Sequence, residues 1–203
     1  RQLADHFFNR LGAELHNLYG PTEAAIDVTA DRVLPDYEPI TIGRPIDNVS
    51  VRIVDPQLQL VPVGVPGELC ISGVALARGY INRPELTAER FVADPYGPPG
   101  ARMYRTGDLV RYQPDGRIQY LGRSDRQVKV RGNRIELDEV EAALAGHPQL
   151  RAAAVLLRGE PGREPELTAV IVGTPEARLS AAELRDYLGA RLPEYMLPAA
   201  FVF

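Results

Sequence analysis

The sequence changes character at about residue 122, and this change limits the folds that the chain can adopt. Residues 50–120 are mostly short alternating or apolar runs separated by Pro-Gly and Asp-Gly turns, which is typical of strands and hairpins. After Gly122, strand-like runs alternate with helical segments such as LDEVEAALAGHP and AAELRDYLGARL. We therefore predict an α/β (α+β) protein with a β-rich part over residues 1–121 and a small α+β part over residues 122–203.

Local signals predict individual elements in the β-rich part. Leu3, Phe7 and Leu11 are spaced by four, which predicts a first helix ending at Gly12. The runs SVRIVD and GELCIS predict strands, and TAERF predicts a short helix. MYRTGDLVRY and RIQYLG flank a Pro-Asp-Gly turn, so we expect a hairpin there.

The second part carries equally clear signals. QVKVR predicts a strand, and GNR predicts a tight turn after it. The next helix is expected to end at Gly146. Ser180 and Glu183 have the S-x-x-E spacing of a capping box at the start of the last helix.

Composition excludes several classes of protein. The net charge of −4 argues against general nucleic-acid binding, which needs a basic surface. No apolar run is long enough to predict a transmembrane helix, and the N-terminus lacks a signal-peptide core. The single cysteine, Cys70, cannot form an internal disulfide and is expected to be buried, so we expect a cytoplasmic protein. The chain begins inside a helical pattern without methionine, so we expect a piece of a longer polypeptide.

Two glycine-containing phrases hold candidate ligand residues. In YGPTE, Tyr19 offers a flat face for a base, Thr22 a hydroxyl for a phosphate, and Glu23 a carboxylate suited to Mg²⁺. In YRTGDLVR, Asp108 is suited to accept hydrogen bonds from two vicinal hydroxyls, as on a ribose. Each phrase alone is equally compatible with an ordinary turn, with Asp108 as a capping residue.

A third phrase, GRSDRQVKVRGNR, is basic. Lys129 in this phrase is the only lysine among 23 basic residues, which hints that this position needs a compact ammonium group. Alternation along QVKVR predicts Lys129 on a polar face with Gln127 and Arg131, away from the core. A solvated basic hairpin or a nucleic-acid patch are the alternatives, and the patch lacks interleaved aromatic residues. The three histidines have no metal-ligand spacing, and no G-x-S-x-G phrase is present.

Taken together, the phrases resemble one enzyme family. YGPTE, GELCISGVALARGYINRPELTAERF, YRTGDLVR, GRSDRQVKVRGNRIELDEVE and LPEYMLPAAFV occur in the order seen in adenylation domains of nonribosomal peptide synthetases. The resemblance covers nearly all 203 residues. It implies an ATP-dependent ligase that converts an amino acid and ATP to aminoacyl-AMP and pyrophosphate, for secondary metabolism such as antibiotic biosynthesis. The aminoacyl group then passes to the phosphopantetheine thiol of a peptidyl carrier domain.

The resemblance also implies roles for individual residues. Thr22, Glu23 and Lys129 would be catalytic, with Glu23 as the Mg²⁺ ligand and Lys129 acting in the thioester-forming conformation. Asp125 would be the hinge between the end of the large core subdomain (1–121) and a small mobile subdomain (122–203). The ATP-binding residues implied are Tyr19, Gly20, Thr22, Asp108, Tyr120 and Arg123.

In this family, the residue before the tyrosine of YGPTE and the third and fourth residues after its glutamate line the amino-acid pocket. These are Leu18, Ile26 and Asp27, and the trio resembles serine-activating members. A buried aspartate in a small pocket favours a substrate with a hydrogen-bond donor. Serine is therefore the expected substrate.

Other readings stay open on the sequence. An acyl- or aryl-CoA ligase of the same superfamily is one alternative, and a non-catalytic fragment that docks a carrier or helper protein is another. The family's phosphate loop and closing lysine are expected outside residues 1–203, so the piece alone is expected to be inactive. The segment Leu86–Gly97 resembles the docking surface for MbtH-like proteins. Neighbouring synthetase domains are also expected partners, whereas nucleic acid and membrane are not.

Overall fold

The structure, a computed structural model, describes residues 2–35, 38–159 and 164–203. These residues form two compact units, Arg1–Asp125 and Arg126–Phe203, each with its own apolar core. The mixed α/β class predicted from the sequence is confirmed. Within the described ranges, no helix has the length and apolar character needed to cross a bilayer.

Unit 1 consists mainly of antiparallel strands. Its helices are α1 (Gln2–Phe8) and α2 (Pro84–Arg90). Its strands are β1 (Leu15–Tyr19), β2 (Thr29–Val33), β3 (Arg44–Pro45), β4 (Val49–Val54), β5 (Gly67–Gly73), β6 (Phe91–Ala93), β7 (Arg102–Tyr112) and β8 (Ile118–Arg123). One sheet has the order β1-β2-β3, and a second has the order β4-β5-β7-β6 with β8 also paired to β7. The predicted hairpin is confirmed as the β7–β8 pair.

The core of unit 1 lies against the larger sheet. Strand β4 begins with alternating buried and exposed residues, because successive side chains of a strand point to opposite faces. Strands β5 and β7 contain runs of consecutive buried residues, so both of their faces are covered. Ile53, Leu69 and Tyr104 are among the fully buried side chains. Cys70 is buried as predicted, and burial raises the pKa of its thiol to about 12. The thiol is therefore neutral and unreactive at physiological pH.

The first helix is shorter than predicted. It ends at Phe8 rather than at Gly12, and it is followed by a turn in which the Phe7 carbonyl accepts hydrogen bonds from Arg10 N (3.1 Å) and Leu11 N (2.9 Å). Leu3 is 80% exposed and Leu11 54% exposed. Of the apolar stripe that predicted the helix, only Phe7 is thus partly buried.

Unit 2 combines a hairpin, a three-stranded sheet and two helices. The elements are β9 (Gln127–Val130), β10 (Asn133–Glu136), α3 (Leu137–Ala145), β11 (Leu150–Arg158), β12 (Glu166–Gly173), α4 (Ala181–Gly189), a 3₁₀ turn (Glu194–Met196) and β13 (Ala200–Val202). Strands β9 and β10 pair with each other, and the sheet has the order β11-β12-β13, with β13 parallel to β12. Leu144, Leu184 and Leu188 are fully buried between the helices and the sheet.

The helix signals in this unit are confirmed, whereas the turn signal is wrong by two residues. Gly146 caps α3, and the reciprocal bonds of a capping box join Ser180 and Glu183 at the start of α4. The phrase GNR was expected to be the tight turn. Only its glycine lies there, because Asn133 already pairs with Val130 and continues as β10.

A charged cluster joins α3 to β11. Glu141 on α3 accepts hydrogen bonds from the backbone N–H of Val155 (2.6 Å) and from both terminal nitrogens of Arg126 (2.6 and 2.8 Å). The Arg126 guanidinium also donates to the Val155 carbonyl at 3.1 Å. These contacts, led by the bonds to Arg126, hold the pKa of Glu141 below its usual value. The ionised carboxylate therefore stabilises the packing of this helix against the sheet.

We predict that Glu141→Gln removes an acid-sensitive part of the stability of unit 2. A carboxyl group whose pKa is lowered on folding stabilises the protein above its unfolded pKa of about 4.3 and loses that contribution as pH falls below it. Chemical unfolding of the 203-residue chain between about pH 6 and pH 3 measures the effect. The wild-type chain should lose more stability over this interval than Glu141→Gln, and parallel pH profiles would contradict the assignment.

Candidate functional site

The YGPTE phrase forms a fixed turn after β1. Tyr19 is the last residue of that strand, and its carbonyl accepts from Val28 N at 2.8 Å where the chain returns. Gly20 faces the returning segment so closely that a Cβ there would lie 1.9 Å from the Ile26 carbonyl oxygen. Thr22 is exposed and Glu23 is buried. The glycine is therefore required by close backbone approach, and the turn exposes the Thr22 hydroxyl to solvent.

Asp108 is the centre of the best-connected polar group in the unit. It lies on β7, is 6% exposed, and accepts a hydrogen bond from the Tyr19 hydroxyl through Oδ2. Its other oxygen, Oδ1, accepts from an Arg123 guanidinium nitrogen at 2.9 Å. The β7–β8 register places Asp108 opposite Arg123. A carboxylate has about four lone-pair sites, so these two donors leave capacity for two ligand hydroxyls.

Arg123 also forms an ion pair with Asp125. Its Nε and a terminal nitrogen donate to the two Asp125 oxygens at 2.9 and 2.5 Å, a bidentate pair. Arg90 from α2 lies 3.9 Å from the same carboxylate. Burial works to lower the pKa of the Arg123 guanidinium, but the bond to Asp125 and the charges of Asp108 and Asp125 outweigh it and raise the pKa. One permanently charged guanidinium thus links the two carboxylates.

Gly107 has no side chain, and this leaves room for the Arg123 guanidinium. Its φ is +73°, and a Cβ would lie 2.6 Å from an Asp125 oxygen and 2.7 Å from an Arg123 nitrogen. Backbone bonds fix the position: Gly107 N donates to Glu68 Oε1 (3.1 Å), and the Gly107 carbonyl accepts from Ser124 N (2.8 Å). The glycine in the Thr-Gly-Asp phrase is therefore needed both for its conformation and for the contact.

Two tyrosines lie around the Asp108 carboxylate. Burial and then the negative charge of Asp108 raise the pKa of Tyr19 well above its usual value. The same two causes raise the pKa of Tyr120, which is 42% exposed on β8. Both phenols are therefore neutral at physiological pH, and the Tyr19 hydroxyl is a hydrogen-bond donor to Asp108.

Glu23 is held by a residue that the sequence reasoning missed. The hydroxyl of Tyr80, in the phrase ARGYINRPEL, donates to Glu23 Oε1 at 2.6 Å. The backbone is tied as well, since Ala77 N donates to the Glu23 carbonyl at 2.9 Å. The tyrosine of this phrase is the one sequence signal that points to the contact, because the two segments are far apart along the chain. Arg90 was missed for the same reason, because its proximity to Asp125 arises only from the fold.

The three residues expected to line an amino-acid pocket lie at the mouth of the Gly20 turn. Leu18 is 55% exposed and Ile26 is 80% exposed, with a left-handed backbone at Ile26 (φ +64°). Asp27 is half-buried in this chain, whereas a buried aspartate was expected. These side chains form an open surface in this chain.

Lys129 is exposed on β9 in unit 2, as the strand pattern predicts. The expected polar face around it is partly wrong. Gln127 is 6% exposed, because its side-chain amide bonds to Glu136 opposite it on β10. Arg131 follows the strand in the turn, with a left-handed backbone (φ +49°). Lys129 alone is therefore the exposed cation of this strand.

The chemistry of Glu23 fits a magnesium ion that is shared with a ligand. The described residues contain no group of three or more His, Cys, Asp or Glu side chains able to hold a metal by themselves. Mg²⁺ is commonly bound by one or two carboxylates together with phosphate oxygens and water. A single oriented carboxylate such as Glu23 matches that mode of binding.

Comparison with known proteins gives the site a context. A family model described as AMP-binding enzyme matches residues 1–81. The chain is 53% identical over 195 residues to a dimodular nonribosomal peptide synthase of Bacillus subtilis (strain 168), covering 95% of this chain and 8% of that protein. It therefore spans less than a tenth of that relative's length.

Solved structures agree with the sequence match. An artificially fused adenylation-PCP di-domain, NpsA-ThdA from Klebsiella oxytoca, is 32% identical with a TM-score of 0.77, covering 95% of this chain and 36% of its own. The Vibrio cholerae adenylation domain AlmE, in complex with glycyl-adenosine-5'-phosphate, is 28% identical with a TM-score of 0.86. That match covers 99% of this chain and 39% of AlmE.

We predict that Gly107→Ala destabilises unit 1 more than Gly116→Ala does. Both glycines have positive φ (+73° and +82°), so both substitutions incur a cost of roughly 1–2 kcal/mol for a left-handed L-residue. At Gly116 the nearest atom to an added Cβ is 3.8 Å away, whereas at Gly107 two charged groups are within 2.7 Å. Overpacking adds about 1–3 kcal/mol. Urea unfolding measures the difference, and equal losses would contradict the geometry around Arg123.

Proposed function

Because this chain belongs to the adenylation-domain family of nonribosomal peptide synthetases, as a C-terminal portion of such a domain, we propose that it forms part of an amino-acid-activating site. The proposed reaction joins an amino acid to AMP with release of pyrophosphate from ATP. The aminoacyl group then passes to the phosphopantetheine thiol of a carrier domain. The observation that carries the proposal is the Asp108 group, in which Tyr19 and Arg123 orient a buried carboxylate.

Asp108 is the proposed ribose anchor. An ionised carboxylate accepts hydrogen bonds from two vicinal hydroxyls, and its orientation is fixed before ligand binding by Tyr19 and Arg123. The ring of Tyr19, with Tyr120 and Gly20 near it, is proposed to bind the adenine. This arrangement positions the nucleotide without a protein nucleophile, as a displacement at phosphorus requires.

Glu23 and Thr22 are proposed to act at the phosphates. Glu23 would hold Mg²⁺, which neutralises charge on the phosphate oxygens of ATP. The exposed Thr22 hydroxyl is available to donate to an α-phosphate or adenylate oxygen. Both residues lie in one turn that Gly20 fixes, so the two groups keep a constant spacing. Attack by the substrate carboxylate is thus favoured by positioning and by charge neutralisation.

The second half-reaction is proposed to use Asp125 and Lys129. Asp125 is the last residue of unit 1, at the boundary between the two compact units, which supports its proposed role as a hinge. Lys129 lies four residues later as an exposed cation. We propose that it contacts the reactants only in the thioester-forming conformation. The Klebsiella oxytoca structure, an artificially fused adenylation-PCP di-domain, supports a carrier domain as partner.

Serine is the proposed substrate. Leu18, Ile26 and Asp27 lie at one turn, and the Asp27 carboxylate is a hydrogen-bond acceptor, which favours a substrate with a hydroxyl group. An MbtH-like helper is proposed on Leu86–Gly97, because α2 buries none of its residues. Co-purification of the two proteins tests that docking, and failure to form a complex on co-expression would argue against it. We place the reaction in the cytoplasm, beside the neighbouring synthetase domains.

Amino-acid-dependent exchange between ATP and pyrophosphate tests the proposed function. The complete natural protein should catalyse exchange, with serine preferred over alanine, valine and phenylalanine. Asp27→Ala should shift that preference toward alanine, because the hydrogen-bond acceptor for the hydroxyl is lost. The 203-residue chain alone should be inactive, because the family's phosphate loop and closing lysine are expected outside residues 1–203. Activation of fatty or aryl acids with coenzyme A would instead support an acyl- or aryl-CoA ligase. Absence of all activity, with retained carrier binding, would support a docking role.

We predict that Asp108→Ala lowers kcat/KM for ATP in the complete protein by about a hundredfold or more. Each hydrogen bond to a charged group contributes about 1.5–3 kcal/mol, and two such bonds to the ribose would be lost. The matched control is Asp115→Ala, in the exposed turn of the same hairpin. Exchange is measured with ATP below saturation, and wild-type activity in folded Asp108→Ala would rule out the ribose assignment.

We predict that two other substitutions separate the half-reactions. Lys129→Ala and Asp125→Pro should keep most pyrophosphate exchange and reduce loading of the carrier thiol by roughly tenfold or more, as expected for one lost charged contact or a restricted hinge. Asp125→Ala is the control that removes the carboxylate without restricting the backbone. Exchange and carrier loading are measured in parallel. Loss of exchange in a folded Lys129→Ala variant would show that Lys129 serves adenylation itself.

A further inference from the structure

The phrase ARGYINRPELTAERF contains Tyr80, whose contact with Glu23 has no function among those proposed above. Tyr80 lies just before α2, and its position is fixed from two sides. Its backbone N–H donates to the Thr87 hydroxyl at 2.9 Å, and that hydroxyl donates to the Arg83 carbonyl at 2.9 Å. The Tyr80 ring packs edge-on against Phe91, with centroids 5.7 Å apart, and Phe91 packs on the buried Tyr104. The phenol is therefore held by a helix and by the core.

This fixed phenol reaches the Glu23 carboxylate. The Tyr80 hydroxyl donates to Glu23 Oε1 at 2.6 Å, across 57 residues of sequence. The segment after Glu23 is bound to the segment before Tyr80 through a bridge between Ala24 and Leu76 and through the bond from Ala25 N to the Ala75 carbonyl (2.9 Å). Main-chain and side-chain contacts thus fix both partners, so the orientation of the Glu23 carboxylate is set by Tyr80.

The charge of the group that donates to Glu23 affects how strongly the carboxylate attracts a cation. An arginine or lysine paired with Glu23 would cancel most of its charge and weaken its attraction for a cation. A neutral phenol orients the carboxylate without itself adding a positive charge. Because Glu23 is only 8% exposed, water offers it little alternative hydration, and the hydroxyl replaces part of it. A tyrosine here is therefore suited to prepare a carboxylate for a metal ion.

We propose that Tyr80 is a positioning residue for Glu23: its hydroxyl orients the carboxylate that binds the Mg²⁺ accompanying ATP. The proposal rests on the proposed function. It assigns to the ARGYINRPEL segment a part in the metal site, besides its packing role. It also limits the effect of losing the hydroxyl to cation binding, because Tyr80 has no described contact with Asp108 or with the Asp27 turn.

Tyr80→Phe in the complete protein tests the proposal. The first readout is Mn²⁺ affinity in the presence of α,β-methylene-ATP, followed by electron paramagnetic resonance. We expect binding to weaken about tenfold, the order expected for one hydrogen bond to a charged group. The affinity for the analogue without metal and the KM for serine should change by less than about twofold. The Mg²⁺ concentration for half-maximal exchange should rise in parallel.

Three further variants make the result specific. Tyr112→Phe removes a phenol hydroxyl from the same core and should leave Mn²⁺ affinity unchanged. Glu23→Gln should weaken Mn²⁺ binding more strongly, and adding Tyr80→Phe to it should cause no further loss. If Tyr80→Phe unfolds, Thr87→Val, which frees the Tyr80 backbone, should give a smaller loss of the same kind.

Unchanged Mn²⁺ affinity in folded Tyr80→Phe, with normal exchange by the wild type, overturns this proposal alone. Absence of exchange in the wild type overturns the proposed function instead.

Discussion

The guanidinium of Arg123 holds together the two carboxylates on which the proposed site depends. It donates to Asp108 at 2.9 Å and forms a bidentate pair with Asp125 at 2.5 and 2.9 Å. Without this shared cation, the negative charges of the two carboxylates would repel each other. A lysine ammonium lacks the planar fork needed to serve both, and Gly107 leaves room for the fork. The proposed ribose anchor and the proposed hinge therefore share one cation.

Neutral phenols complete this arrangement at two places. Tyr19 donates to Asp108, and Tyr80 donates to Glu23, so each carboxylate is oriented by a hydroxyl. Glu23 accepts a hydrogen bond from the neutral Tyr80 hydroxyl, and Asp108 is paired with the Arg123 guanidinium. A phenol adds no positive charge beside the proposed magnesium ligand, and the bonds from Tyr19 and Arg123 orient the acceptor oxygens of the proposed ribose anchor. A tyrosine hydroxyl thus orients the carboxylate at both proposed ligand sites.

Local rules recovered the elements whose causes are local, including the β7–β8 hairpin, the end of α3 and the capping box of α4. The candidate residues around Asp108 came from the family resemblance, but the pairing of Asp108 with Arg123 depends on an irregular register in β7–β8 that no spacing reveals. The bond between Tyr80 and Glu23 is a tertiary contact between distant segments. Gln127 was wrongly predicted on an exposed face because its partner lies on the opposing strand.

The most direct test of this account is the structure of the complete protein with a non-hydrolysable seryl-adenylate analogue. The account predicts both ribose hydroxyls within about 3 Å of the Asp108 carboxylate oxygens, with the adenine against the ring of Tyr19. It also predicts that Arg123 keeps its contact with Asp108. A ribose bound elsewhere, with Asp108 contacted only by protein donors, would contradict the central claim that these residues form the nucleotide-binding part of an adenylation site.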